Sequence, residues 1–379
     1  MTTKKRNILN HALAALMVIT AFSGFGLRPL YLFCGVSLML LSLFALVKDW
    51  SEKNGNNIYK IVVAWSCYSI IVALFEHSAD SLYTSLMHAG VLILFWGALH
   101  RTKDRSDRQY FVNLFKGVHY ALLVFLVIVF LVSRNDLSNF ETFIYIGLAT
   151  LPSAIISEKK NRKIAIKVIA LSIAWAIMSY IIGARAQVLS FIIFPITFAL
   201  LSIKKIKRKA LDIAFVILFL VLNIFPLCYI DLSTNQIGNN LSEMSLALTS
   251  SRFFSGRDKL WSAAYDKIDT PSKLIFGIGI NGTRQLINEK GMSLHNLYVT
   301  CLTEGGLVFV ALLGVVLLLI WRKLGENNTL LAKLTMAMFI AVLYKQSFDI
   351  SLIENNICFA VAIWSAIAIG CNSKSKPTK

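Results

Sequence analysis

Along this chain, apolar runs of about 18–22 residues alternate with short polar breaks, and each run is long enough to cross about 30 Å of hydrocarbon as a helix. The runs fall at about 8–26, 29–47, 60–76, 82–99, 117–133, 139–157, 164–182, 187–203, 210–229, 296–320, 330–346 and 355–371. The pattern predicts an all-α, polytopic membrane protein with about 12 transmembrane helices. A β-barrel would instead alternate polar and apolar positions in strands of roughly ten residues, and no such alternation is present. One interval breaks the rhythm: residues 230–294 are too polar to lie in a bilayer. The start of the chain, Met1 to Asn7 followed by an apolar run, resembles a signal sequence but lacks a small-x-small cleavage site. It is therefore expected to stay as a first helix. Residues 1–379 then form a single integral membrane domain, with 230–294 as one long loop within it.

Composition agrees. Hydrophobic residues make up 56% of the chain, and the mean hydropathy is +0.66. The net charge of +18 would in a soluble protein suggest nucleic acid, but its placement argues otherwise. Basic residues crowd into alternate connections: Lys48 to Lys60, Arg101 to Arg108, Lys159 to Lys163, Lys204 to Lys209 and Arg322–Lys323, together with both chain ends. The intervening short connections hold only Arg28, Arg134, Arg185 and Lys345, beside acids such as Glu76, Asp80, Asp136 and Asp349. The positive-inside rule then puts both termini in the cytoplasm and the long loop outside. No nucleic-acid-binding motif accompanies the charge. The cysteines lie within or at the ends of apolar runs, without paired spacing, so neither a zinc site nor a disulfide framework is predicted.

The loop carries helical signals. Asn240-Leu-Ser-Glu243 reads as a capping box for an amphipathic helix ending near Phe254. Ser255-Gly-Arg-Asp258 reads as a second box, opening a helix with Leu260, Trp261, Ala264, Tyr265 and Ile268 on one face and ended by Pro271. Gly277-Ile-Gly279-Ile-Asn-Gly282 matches the dinucleotide fingerprint but lacks the βαβ unit that gives it meaning. Tight turns and close backbone approach are the better reading of these glycines.

Three residues stand out chemically. Arg257 falls in the first turn of the predicted second helix, where free amides and a bidentate guanidinium together favour phosphate; the alternative is an ordinary ion pair with Asp258 or Asp266. Arg185 lies in a very short outer turn, on the side where arginine is disfavoured. It either binds an anionic lipid headgroup or merely snorkels. His295 precedes the tenth run, where a helix N-terminus lowers its pKa and leaves a neutral imidazole able to accept a proton. The other histidines, His11, His77, His88, His100 and His119, are scattered and read as packing or interfacial residues. Glu304, nine residues after His295, is not an obvious orienting partner. No HExxH, GxSxG or paired-carboxylate arrangement is present.

Arg185 with Leu189, the external Ser-Gly-Arg257…Trp261, the Gly277-x-Gly279 turn and His295-Asn296-Leu-Tyr298…Glu304-Gly305 together resemble the bacterial O-antigen ligase family, which also includes the O-antigen polymerases. The motifs cover about Arg185 to Gly306. The resemblance implies a glycosyltransferase C-like membrane fold with a helical periplasmic cap, in the bacterial inner membrane. It further implies a metal-independent, inverting enzyme of lipopolysaccharide biosynthesis that needs no cofactor. Its donor would be a glycan on undecaprenyl diphosphate, its acceptor a sugar hydroxyl of lipid A–core, and its surroundings membrane lipids. By the same resemblance, Arg185 and Arg257 grip the donor diphosphate and His295 activates the acceptor hydroxyl, with Lys345 and Asp349 as further substrate contacts.

Polymerases share these motifs but often carry two sizeable external loops, whereas this chain has one. A lipid or solute transporter would place charges or broken helices near the bilayer midplane, and mid-run charges are nearly absent.

Overall fold

A computed structural model describes residues 57–76, 78–132, 141–156, 161–203, 206–249, 253–282, 293–353 and 357–373. The first two predicted spans, about 8–26 and 29–47, lie outside the described residues. So do the basic residues of both chain ends, and Arg28, Arg134 and Asp136.

Among the described residues the protein is helical throughout, without strands. Seven helices precede the loop: α1 (Asn57–Phe75), α2 (Ala79–Arg101), α3 (Arg105–Val132), α4 (Glu141–Ile155), α5 (Asn161–Ile181), α6 (Arg185–Ser202) and α7 (Arg208–Thr234). The loop holds α8 (Gln236–Thr249), α9 (Arg257–Asp266) and α10 (Pro271–Phe276). After it come α11 (Leu297–Glu326), α12 (Leu330–Lys345), a 3-10 turn (Gln346–Phe348) and α13 (Ile357–Cys371). Eight described helices are long and apolar enough to cross a membrane, while α4 and α13 are shorter. The ten later apolar runs thus each coincide with a helix.

The pattern of exposure explains why these helices form and stay. On α5, Ile166, Ile169, Ile173, Ile177 and Tyr180 are exposed along one stripe, and α7 exposes Ile213, Val216, Ile217, Leu220, Ile224 and Leu227. Contiguous apolar faces of this size are costly in water, but against lipid they cost nothing. The opposite faces interlock around α12, the most buried spanning helix, which packs on α4, α6, α11 and α13. Trp65 stacks on Phe309 at 3.9 Å, and Trp321 and Phe339 sandwich Phe215. Two buried polar groups pair across helices: Ser69 with Ser85 at 2.9 Å, and His119 between Thr150 and Trp175 at 3.1 Å each. Trp175 donates to His119 Nε2, so that ring is a neutral packing residue, as expected from sequence.

The loop differs in detail from the sequence expectation. Helix α8 opens at Gln236, capped by Asn235, whose Oδ1 accepts from Gly238 N at 3.0 Å. The Asn240…Glu243 box is therefore interior to it; its described part reaches Thr249, and Phe253 and Phe254 are no longer helical. Helix α9 starts behind Gly256 in a left-handed conformation (φ 80°), with no side-chain cap. Ser255 does not cap because its hydroxyl accepts from Arg185 instead. Pro271 does not end α9, which stops at Asp266. It opens α10, capped by the Thr270 hydroxyl accepting from Lys273 N.

Candidate functional site

The antiparallel order of helices brings the starts of α4, α6 and α11 to the same end of the bundle as the end of α12. The loop helices cover this end. Its base is a second small core of Tyr229, Phe254, Trp261, Ala264, Leu294 and Val299. The expected buried face of α9 is real, since Trp261 and Ala264 are fully buried with Leu260 and Tyr265 packed beside them. Trp261 Nε1 donates to the Leu294 carbonyl at 2.8 Å, so α9 holds the backbone immediately before His295.

His295 itself adopts φ 49°, a conformation that non-glycine residues rarely take. Asn296 follows as the N-cap of α11: its Oδ1 accepts from Tyr298 N at 2.9 Å and Val299 N at 3.0 Å, and its Nδ2 donates to the Ser347 carbonyl at 2.9 Å. Leu297 N donates to the Asp349 carbonyl at 3.0 Å. The start of α11 is thus tied to the turn after α12. His295 is exposed, and neither ring nitrogen has a hydrogen-bond partner among the described residues. Desolvation by the surrounding protein lowers its pKa from the ordinary histidine value of 6.5; Asp349 opposes this, Arg257 and Lys345 reinforce it, and Glu141 opposes it. The net direction favours the neutral, proton-accepting imidazole.

Arg257, half-buried, lies over the Phe348 ring at 5.7 Å. Its guanidinium makes no hydrogen bond or ion pair among the described residues, so the expected alternative partners, Asp258 and Asp266, do not take it. Arg185 reaches back across the loop, donating to Ser245 Oγ at 2.8 Å and Ser255 Oγ at 3.0 Å. Ser255 stands two residues before Arg257, and Tyr229 lies within electrostatic reach of both arginines. The two arginines from opposite halves of the motif thus meet around one turn.

Lys345 and Asp349 form the buried floor, 3% and 8% exposed. Lys345 Nζ stands 3.4 Å from Asp349 and 4.0 Å from Glu141, over the Tyr145 ring. Asp349 also accepts from the Tyr145 hydroxyl and from Ile350 N, and Glu141 accepts from Gln187. Glu141, Tyr145 and Gln187 were not singled out from the sequence. Their one local signal is position, at the starts of α4 and α6. In the fold, His295, Arg257, Lys345 and Asp349 share one electrostatic environment, with Arg185 joined through Ser255.

Glu304 belongs elsewhere, as its spacing suggested. Its Oε1 accepts from Asn281 N at 3.0 Å, and its carbonyl accepts from Gly279 N at 3.1 Å. The G-x-G turn rests against a kink in α11, where Gly306 has φ 66°. A Cβ on Gly277 would run into the Glu304 carbonyl, and one on Gly306 into the Ile275 carbonyl. Close backbone approach, rather than nucleotide binding, is what the glycines serve.

Chemically, the arrangement offers a neutral imidazole and a guanidinium without an ion pair among the described residues, at one bundle end above the ionic floor of Lys345, Asp349 and Glu141. It suits abstraction of a proton beside a developing anion. Comparison of the sequence with protein-family models and with curated proteins finds no match to either.

Proposed function

We propose that this protein is an O-antigen ligase, an integral-membrane glycosyltransferase moving a glycan from undecaprenyl diphosphate to a sugar hydroxyl of lipid A–core without a metal or cofactor. The observation that carries the reading is Arg257: a half-buried guanidinium with no anionic partner among the described residues, sharing its surroundings with His295, whose ring has no hydrogen bond among them. A desolvated arginine left without an acceptor is unfavourable unless an anion completes it, and its planar fork suits a diphosphate.

In this reaction the acceptor hydroxyl gives its proton to His295 and its oxygen attacks the anomeric carbon. The bond from that carbon to the diphosphate breaks, and the electron pair leaves on undecaprenyl diphosphate. Arg257 and Arg185 stabilise that departing charge. A single direct attack inverts the centre, so an α-linked donor gives a β linkage. Lys345 and Asp349, being buried and bonded, act by positioning the His295 segment rather than by touching substrate. Both substrates are amphiphiles, which suits a site at the end of a lipid-embedded bundle, on the periplasmic face of the inner membrane.

The test is a lipopolysaccharide ladder from cells lacking their own ligase, carrying the wild type or His295→Ala at matched membrane levels with the native glycan and core. Restored long chains with the wild type and none with the variant is the expected result. Altered polymer length on the carrier lipid would make the protein a polymerase. Substrate movement by purified protein without glycan transfer would make it a transporter.

A further inference from the structure

At the opposite end of the bundle from His295, a cavity of about 640 Å³ opens between the end of α6, the start of α7, the end of α11 and the start of α12. Its apolar arm includes Leu200, Leu201, Leu211 and Met336. Leu200 is 52% exposed and the neighbouring Ile203 51%, so the cavity opens at the lipid-facing periphery. Its polar end holds Arg208 and Lys333. Arg208 is held in place: Nη2 meets Asp212 at 3.0 Å and donates to the Trp321 carbonyl at 2.8 Å, and the guanidinium lies close against Gly325. Its Nη1 and Nε have no acceptor among the described residues. The Lys333 ammonium, on a partly buried residue, likewise has no hydrogen bond or ion pair there. Glu326, which also borders the cavity, is paired with Lys323 at 3.3 Å.

We propose that this cavity binds a membrane phospholipid, its phosphate between Arg208 and Lys333 and an acyl chain along Leu200, Leu201, Leu211 and Met336. Arg208 also lies over the Trp321 ring and within reach of Glu326, and two cations with donors to spare at one cavity end favour a phosphate-like acceptor there. The adjoining apolar arm, opening where the spanning helices end, is wasted on a soluble anion but matches a lipid at headgroup depth. The site is separate from the His295 end and does not depend on the reaction proposed there.

The test is native mass spectrometry of the delipidated full-length protein in detergent, titrated with dioleoyl phosphatidylglycerol. Lys333→Ala removes one cation that makes no hydrogen bond or ion pair among the described residues, and Leu211→Trp fills the apolar arm while leaving both cations. Each is expected to weaken retention of the first bound lipid by about tenfold, the scale of one charge-assisted contact. Equal lipid retention by the wild type and both variants would overturn the proposal. So would dioleoylglycerol binding as tightly, which would leave an apolar groove only. Glycerol 3-phosphate binding as tightly would make it a site for soluble phosphates instead.

Discussion

His295 combines a left-handed backbone, which costs a non-glycine residue about 1 kcal/mol, with a ring that has no hydrogen-bond partner among the described residues. As general base, its loss by His295→Ala lowers transfer by about 10²–10⁴-fold, measured in membranes by the rate of ladder formation. The pH profile carries a sharper sign. Desolvation holds the pKa below 6.5, so the neutral form persists as pH falls through that value and activity declines only below it. An acid limb at or above 6.5 would remove His295 as the base. Arg257→Lys keeps the charge but loses the fork stacked on Phe348, and is expected to lower kcat/KM by about tenfold. Lys345→Met leaves Asp349 uncompensated in a buried place and destabilises the protein by about 3–5 kcal/mol, read from thermal unfolding in detergent; adding Asp349→Asn recovers part of it. Arg257 and His295 were legible in sequence because polar residues that interrupt apolar patterning announce themselves. The floor was half legible: Lys345 and Asp349 share a turn, whereas Tyr145 and Glu141 reach them from about two hundred residues away.

Among the elements, the cap of α11 and the seat of the G-x-G turn carry the consequences. Asn296→Ala leaves the amides of Tyr298 and Val299 without their acceptor in a buried place, costing about 1–3 kcal/mol; a lower unfolding temperature checks it. The seat is also pH-sensitive. Glu76, just past the end of α1, has its pKa raised to about 7 by desolvation, which outweighs the lowering hydrogen bond with Ser81, and Glu304 raises it further. The folded state therefore holds a proton that the unfolded chain releases above the ordinary value of 4.5. Stability is highest below that value and declines as pH rises through about 7, so unfolding temperatures at pH 6 and pH 8 should differ less in Glu76→Gln. Cap signals in the loop were the least legible part. Asn240 and Ser255 have the right residue type at the right spacing, but capping depends on where a chain turns and what else claims the hydroxyl. Arg185, 70 residues earlier, claims that of Ser255.

For the whole molecule, lipid-facing stripes on α5 and α7 and a dense centre around α12 describe a multi-pass bundle. Alkaline phosphatase fused after Asn235 should be active and, after Lys103 or Asn327, inactive, since alternate connections face opposite sides; activity in the reverse pattern would invert the orientation. The spanning helices, their approximate ends and the polarity of the loop were already written in the chain. These follow from hydrophobic length and from charge at the breaks, which are local quantities. Folding was needed for Glu304 to seat the glycine turn, for Tyr145, Glu141 and Gln187 to join the floor beneath His295, and for Arg185 rather than a helix amide to take the Ser255 hydroxyl. Those outcomes depend on which helix ends become neighbours. Packing of buried faces sets that, and no spacing along the chain encodes it.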